Sequence, residues 1–243
     1  MIMATYTDIH QHFLYGMDDG VKSIHDMRRM IDAAYRSGVR TMYATPHVSP
    51  GRRAFNWDDY AERLNRAQVY CDKKNYRLNI IGGAEIFYTP ATIRLLNEGR
   101  IPMMGNSRYV LVEWNIATEF SSIFKDIRDI SNAGYTVIVA HIERYQSMWL
   151  RIQEIRRLKQ DFGIRIQVNC DALLDKRSFF MKHFLNRLIR EDLVDYVASD
   201  AHGTRYRKIR MAEADCYIRK KYGKNKAYAL LHGNQQELVV DKK

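Results

Sequence analysis

The side chains with metal-binding chemistry are His10, His12, Asp18, Asp19, His47, Glu85, Glu113, His141, Asp200 and His202, spread over about 190 positions. Together they offer five imidazoles, up to five carboxylates and no thiolate. That mixture suits Mn, Fe, Zn or Mg and disfavours a structural zinc site built on cysteine. His10-x-His12 and Asp200-x-His202 are spaced so that both members of each pair project to one side of an extended chain. If Asp19, Glu85, Glu113 and Asp200 shared one pocket, they would repel one another strongly unless cations lay between them. The ligands outnumber what one ion uses, so two or three divalent ions are expected.

What would bring them together is their placement at strand ends. Strands are expected at Tyr6–Ile9, Thr41–Thr45, Asn79–Gly83, Tyr109–Val112, Thr136–Ala140, Arg165–Val168 and Tyr196–Ser199. Each ligand falls at or just after one of these. Helical periodicity fills the gaps. Ser23–Arg36 places Ile24, Met27, Met30, Ile31 and Ala34 at three- and four-residue spacing, with Gly38 as a stop. Asp58–Lys74, Ser121–Asn132, Met148–Asp161, Ser178–Arg190 and the segment after His202 continue the pattern. His25, His183 and His232 lie on such helices and read as structural. Seven strand–helix alternations point to an α/β fold with a parallel sheet. Seven in one domain, taken as residues 1–243, point to a closed barrel one strand short of the eight-stranded form; an open doubly wound sheet is the alternative. The strand ends of a barrel share one face, so the ligands would converge on one mouth. No GxGxxG or Walker motif supports a nucleotide-binding version.

The 243-residue chain has 39 Lys and Arg against 28 Asp and Glu, a formal charge of +11. Its 46% hydrophobic and 28% charged residues are ordinary for a globular protein and argue against disorder. No apolar run approaches the roughly 18 residues of a membrane span, and the start has no secretory pattern. Cys71, Cys170 and Cys216 are distant and odd in number, giving neither a disulfide framework nor a CxxC site. A cytoplasmic location is expected. The basic residues come in small groups on helical segments, where a solvated face is the simplest reading, so nucleic acid is not the expected partner.

Seven segments carry a family resemblance: Asp8-Ile9-His10-Gln11-His12, Gly16-Met17-Asp18-Asp19-Gly20, Ala44-Thr45-Pro46-His47, Gly83-Ala84-Glu85-Ile86, Val110-Leu111-Val112-Glu113, Ile138 to Tyr145 (with His141-Ile142-Glu143-Arg144-Tyr145) and Ala198-Ser199-Asp200-Ala201-His202. In this order they resemble the polymerase and histidinol phosphatase (PHP) superfamily, and within it the bacterial CpsB and YwqE type of metal-dependent protein-tyrosine phosphatase. The resemblance implies a distorted seven-stranded (β/α)7 barrel and a three-metal site, usually manganese. It implies that His10, His12, Glu85 and Asp200 hold one ion. Glu85 would bridge to a second ion held by Glu113 and His141, and Asp19, His47 and His202 would hold the third. Of the Asp18–Asp19 pair, one would be a ligand and the other would support the loop. Arg144 matches the family's phosphate-binding arginine, and Arg207 or Arg205 a second one. The sequence departs from the pattern in the basic segment after His202 and in Asn169-Cys170-Asp171.

The implied reaction is attack by a metal-bound hydroxide on a phosphotyrosine phosphorus, with a phenolate of pKa about 10 leaving. The substrate would be a phosphotyrosine protein, such as the tail of a bacterial tyrosine kinase controlling capsule or exopolysaccharide assembly. The alternative is another PHP phosphoesterase: a histidinol-phosphate phosphatase, a phosphodiesterase or a nuclease. A non-catalytic nucleic-acid binder on a barrel scaffold is the third reading. Aromatics near the expected mouth (Tyr15, Phe55, Trp57, Phe87, Tyr88, Trp114, Tyr145, Tyr206) would mostly pack loops, with some free to stack on a ring.

Overall fold

In a computed structural model of the chain, residues 5–175 and 178–238 are described. Strands and helices alternate along them, and every strand pairing is parallel. The strands are β1 (Tyr6–Asp8), β2 (Val39–Ala44), β3 (His47–Val48), β4 (Asn79–Gly82), β5 (Glu85–Phe87), β6 (Tyr109–Glu113), β7 (Thr136–Val139), β8 (Arg165–Asn169) and β9 (Tyr196–Ala198). They form one sheet in the order β1-β2-β4 and another in the order β3-β5-β6-β7-β8-β9. The helices are α1 (Ile24–Arg36), α2 (Trp57–Lys73), α3 (Thr92–Asn97), α4 (Phe120–Asn132), α5 (Ile152–Phe162), α6 (Cys170–Leu174), α7 (Phe179–Arg190), α8 (Met211–Tyr222) and α9 (Lys224–Tyr228).

A single sheet of seven strands is therefore not what the described residues contain: there are nine strand segments in two sheets. The two extra segments, β3 and β5, arise where the second and third expected strands break. Pro46 lacks an N–H and cannot continue the ladder after β2. Gly82 and Gly83 break the other, and the side chain of Tyr60 on α2 fills the gap. Its hydroxyl accepts from Gly83 N (2.7 Å) and donates to Gly83 O (3.0 Å). A Cβ on Gly82 would lie 2.6 Å from that hydroxyl, so only glycine fits.

The sheet curls so that its first strand meets its last. Gln11 bridges Ala201, Asp200 N donates to His10 O (2.9 Å) and His12 N to Ala201 O (2.9 Å). Thr45 N also bonds Gln11 O (3.0 Å), extending the pairing of β1 with β2. Side chains alternate between two apolar layers. Val110, Val112, Val137, Val139 and Val197 face the helices, while Leu111, Ile138, Tyr196 and Ala198 face an inner cluster with Ile9, Tyr43 and Met104. Burial on both faces is why these strands read as continuous apolar runs.

The helices match the amphipathic pattern. α1 buries Met27, Met30, Ile31 and Ala34, and Ser23 caps it by accepting from Asp26 N. The C-terminal segment 229–238 lies at the strand-start end of the sheet. Leu238 joins the inner cluster there, and Glu237 meets Tyr109, Arg165 and Tyr196, the first residues of β6, β8 and β9. The opposite end is thus left for chemistry. Among the described residues no helix is long and apolar enough to cross a membrane.

Candidate metal centre

All nine expected ligands lie at the strand-finish end of the sheets. His10, His12 and Asp19 lie in the loop after β1, His47 opens β3, Glu85 opens β5, Glu113 ends β6, His141 follows β7, and Asp200 and His202 follow β9. Three sets place one ligand atom from each member within 4.8 Å of all the others: His10, His12, Glu85 and Asp200; His47, Glu85 and Glu113; and His12, Asp19, His47 and His202. The first is the expected set. In the second, His47 stands where His141 was expected, while His141 Nε2 lies 2.7 Å from Glu85 Oε1 and 3.5 Å from Glu113 Oε2. The third gains His12.

The contacts are arranged around common points rather than as ordinary hydrogen bonds. Glu85 Oε2 lies 3.1 Å from His10 Nε2, 3.2 Å from His12 Nε2 and 3.1 Å from His47 Nδ1. Asp200 Oδ1 lies 3.5 Å from both His10 Nε2 and His12 Nε2. Both oxygens are buried and neither is in hydrogen-bond alignment with a partner, as is true of His202 Nε2. Buried polar atoms are normally satisfied, so a group of atoms turned toward shared centres fits cations between them.

Neighbouring residues fix which nitrogen faces in. Gln167 Oε1 accepts from the backbone N–H of His141 (2.8 Å) and lies 3.2 Å from His10 Nδ1. The proton of His10 therefore sits on Nδ1, and the Nε2 lone pair points at the carboxylates. Asp18 Oδ2 does the same for His12, 2.7 Å from its Nδ1, and also accepts from His47 N (3.0 Å). The carbonyl of Asp200 lies 3.0 Å from His202 Nδ1, leaving Nε2 toward Asp19. Of the Asp18–Asp19 pair, Asp18 lies behind His12, and the largely exposed Asp19 reaches His47 (3.4 Å) and His202 (3.3 Å). Gly20 permits this loop, since a Cβ there would lie 2.2 Å from His12 O.

The pocket is electrostatically tense. Burial alone would raise the Glu85 carboxyl, but the surrounding imidazoles of His10, His12 and His141 hold it well below its usual range. Burial likewise opposes the charge on Asp200, which nearby His10 and His12 hold low. Conversely, burial would lower His141, yet Glu113 and Glu85 lift it to about 9. His202 is pushed down to about 4 by burial and by the positive charges of His12 and Arg207. A cluster of carboxylates that raises the pKa of its imidazoles is one that attracts positive charge. His141, Asp200 and Arg207 are also three of the five non-glycine residues with positive φ among those described. Such left-handed backbone is costly and concentrates at working sites.

Two of the three expected arginines reach this centre. Arg144 Nη2 lies 2.5 Å, and Arg207 Nη2 2.7 Å, from Asp200 Oδ2. Arg205 is exposed and lines a shelf at the edge of the centre with Asp19, His202, Arg207, Asp26 and Arg29. Of the aromatics, Trp114 and Tyr145 are buried, with the Tyr145 hydroxyl accepting from Trp114 N (3.1 Å). Phe55 and Phe87 instead line an open cleft of about 510 Å³ that runs from Asp19, His47 and Glu113 past Arg53 and Arg63. Sequence reading missed Asp8, Gln167 and Asn169. Asp8 is fully buried and accepts from Ser199 N (2.9 Å) and Gln11 Nε2 (2.7 Å). Asn169 accepts from Gln167 and donates to Asp200 Oδ2 (2.8 Å). A short polar residue after an apolar strand was the available signal, and it is weak.

A family model described as capsular polysaccharide synthesis, CpsB/CapC, matches residues 6–240. The chain belongs to the CpsB/CapC family. Among the members it resembles are the tyrosine-protein phosphatase CpsB of Streptococcus pneumoniae, 33% identical over 96% of this chain and 98% of that protein, and the tyrosine-protein phosphatase YwqE of Bacillus subtilis, 28% identical over 92% and 87%. A solved structure described as that of YwqE and CpsB, unique metal-dependent tyrosine phosphatases, superposes with a TM-score of 0.85 at 26% identity, covering 96% of this chain and 94% of that one. A histidinol phosphate phosphatase from Lactococcus lactis shares the fold at a TM-score of 0.61 and 13% identity. The CpsB/CapC match spans every segment on which the resemblance was drawn.

Proposed function

We propose that the chain is a metal-dependent protein-tyrosine phosphatase acting on a phosphotyrosine protein of capsule or exopolysaccharide assembly, such as a tyrosine kinase tail, in the cytoplasm. The observation that carries this is the convergence of His10, His12, His47, Glu85 and Asp200 on shared centres beside two arginines, in a chain whose CpsB and YwqE relatives bear that activity in their names. We read the two curled sheets as one distorted seven-stranded barrel within a single domain, β3 continuing β2 and β5 continuing β4. The three ligand sets suit three divalent ions, with manganese the first choice for an all-nitrogen-and-oxygen sphere.

Divalent ions bound there supply positive charge against phosphoryl oxygens and acidify a water as the nucleophile. The protein's own residues do the rest. Arg144 and Arg207 are aimed across Asp200 and would pair with the remaining phosphoryl oxygens, whose charge they stabilise. Gln167 and Asp18 hold His10 and His12 in the ligating tautomer. The cleft between Phe55 and Phe87 receives the aryl ring, and Arg205 stays outside. The phenolate needs little help from an acid, because its parent pKa is about 10.

The test is phosphate release from a tyrosine-phosphorylated peptide by metal-stripped protein, with and without added manganese, beside histidinol phosphate and a short DNA. Manganese-dependent release from the peptide alone is expected. Turnover of histidinol phosphate or DNA alone would transfer the site to the other phosphoesterase reading.

Two smaller predictions follow from the same geometry. Replacing Gln167 by Leu removes the acceptor that fixes His10, and metal affinity should fall by about 10- to 100-fold. Titration of the stripped protein with manganese checks this, and unchanged affinity would refute the tautomer argument. Replacing Cys71, Cys170 and Cys216 by Ser should leave turnover intact. Cys71 and Cys170 are buried, and burial pushes both thiols up, away from the thiolate form. A large loss from any single replacement, in protein that still folds by circular dichroism, would argue for a cysteine nucleophile.

A further inference from the structure

Beside the metal centre's cleft lies a second cleft of opposite character. It occupies about 280 Å³ and its charged lining is four arginines: Arg52, Arg53, Arg94 and Arg100. No carboxylate lines it. The two clefts are adjacent, with Val48, Arg53, Ala54 and Phe55 lining both. The Arg52 guanidinium lies over the ring of Phe87, 4.9 Å from its centroid, and so spans the boundary. The first cleft, by contrast, is bordered by Asp18, Asp19, Asp59 and Glu113.

Four arginines lining one small space concentrate positive charge there, and their mutual repulsion is relieved by an anion. Among the described residues Arg52 and Arg53 have no carboxylate partner. Glu98 meets Arg94 (2.8 Å) and Arg100 (3.7 Å), but on exposed surface where such pairs contribute little. Guanidinium groups match a pair of oxygens on a phosphate or a carboxylate with two parallel hydrogen bonds. A loop held by Thr89, whose hydroxyl donates to Pro50 O (2.8 Å), carries the first two arginines, and α3 with its C-terminal turn carries the others.

We propose that this cleft is a specificity subsite for a second anionic side chain on the same peptide, near the phosphotyrosine being hydrolysed. The inference rests on the phosphatase reading and deepens it, by naming the substrate as a peptide with clustered negative charge. The anion is a second phosphotyrosine or a glutamate. A second phosphotyrosine carries more charge and more oxygens for the four guanidiniums, and should be preferred.

The test uses manganese-loaded full-length enzyme and phosphotyrosine peptides with a second phosphotyrosine, a glutamate or a glutamine placed one to four residues to either side. At the favoured spacing, kcat/KM should exceed that of the glutamine peptide by about tenfold, mainly through KM. The double variant R94A/R100A should bring that ratio close to one. R94E/R100E should reverse it in favour of a lysine-bearing peptide, which a merely structural role would not do. Equal kcat/KM for charged and neutral peptides at all spacings, or a ratio that survives R94A/R100A, overturns the subsite. Anisotropy of labelled peptides carrying a difluorophosphonate in place of the reactive phosphate reads the same ratio without turnover. Absence of turnover on every substrate would thus sink the phosphatase reading, while this binding ratio still decides the cleft.

Discussion

Glu85→Gln should abolish turnover by a factor on the order of a thousand or more, and added manganese should not restore it. Glu85 belongs to two of the three ligand sets, as His12 and His47 do, and is the one carboxylate among these shared residues; its Oε1 also meets His141. Gln keeps the size and one acceptor oxygen but removes the charge. His10, His12, His47 and His141 then lose the common anion that draws positive charge to their inward nitrogens. Neither neighbouring carboxylate touches all four: Asp200 reaches His10 and His12, and Glu113 reaches His47 and His141. The variant's bound metal, measured by elemental analysis after gel filtration, should drop with its rate. Activity within tenfold of the parent, at equal metal content, would remove Glu85 from its central place.

Glu237→Ala should cost about 2–4 kcal/mol of stability while sparing the metal centre, because it lies at the other end of the sheets. Its carboxylate accepts from Arg165 through two contacts of 2.9 Å, from the Tyr109 hydroxyl (3.1 Å) and from the Tyr196 hydroxyl. Removing it leaves a partly buried guanidinium and two hydroxyls without their acceptor. The contribution depends on pH with a definite sign. Burial would raise the Glu237 carboxyl, but Arg165 and Tyr196 hold it below its ordinary value. A depressed acid stabilises the fold fully above the unfolded pKa of about 4.3, and the effect fades as pH falls through the lower folded value. Denaturant midpoints of parent and variant should therefore differ steadily from pH 5 to 8 and converge in more acidic buffer. A gap that persists unchanged at low pH would show that the side chain acts by packing rather than by charge.

The sequence was most readable where chemistry and periodicity coincide. His10-x-His12 and Asp200-x-His202 identify themselves because two ligand-type residues at strand spacing are rarely accidental. The long helices are legible from caps and apolar rows, as Ser23 and α1 illustrate. Short pieces are not. β3 and β5 have two and three residues, α3 has six and α6 five, too few to show a period, and long-range pairing alone defines them. Gln167 and Asp8 stayed hidden for another reason. Each sits in a strand among apolar neighbours and looks like an ordinary polar interruption until the partner, 26 to 191 residues away, is seen beside it. The contact of Arg207 with Asp200 was likewise out of reach, because the backbone at Arg207 is left-handed and no side-chain pattern encodes that.

The meeting of the first strand with the last dictates when this enzyme can come into being. Asp8 holds Ser199 across 191 residues of chain, Gln11 bridges Ala201, and the Tyr6 hydroxyl donates to Asp215 (3.1 Å). On a ribosome, where synthesis runs from one end to the other, the opening histidines emerge first and wait for nearly the whole chain before Asp200 and His202 arrive. Contacts of such long range also make the final closure slow. A stalled or clipped nascent chain would hold a half-built cluster with little grip on metal. The cluster is thereby left incomplete until residues 199–202 have been made, a timing imposed by topology alone.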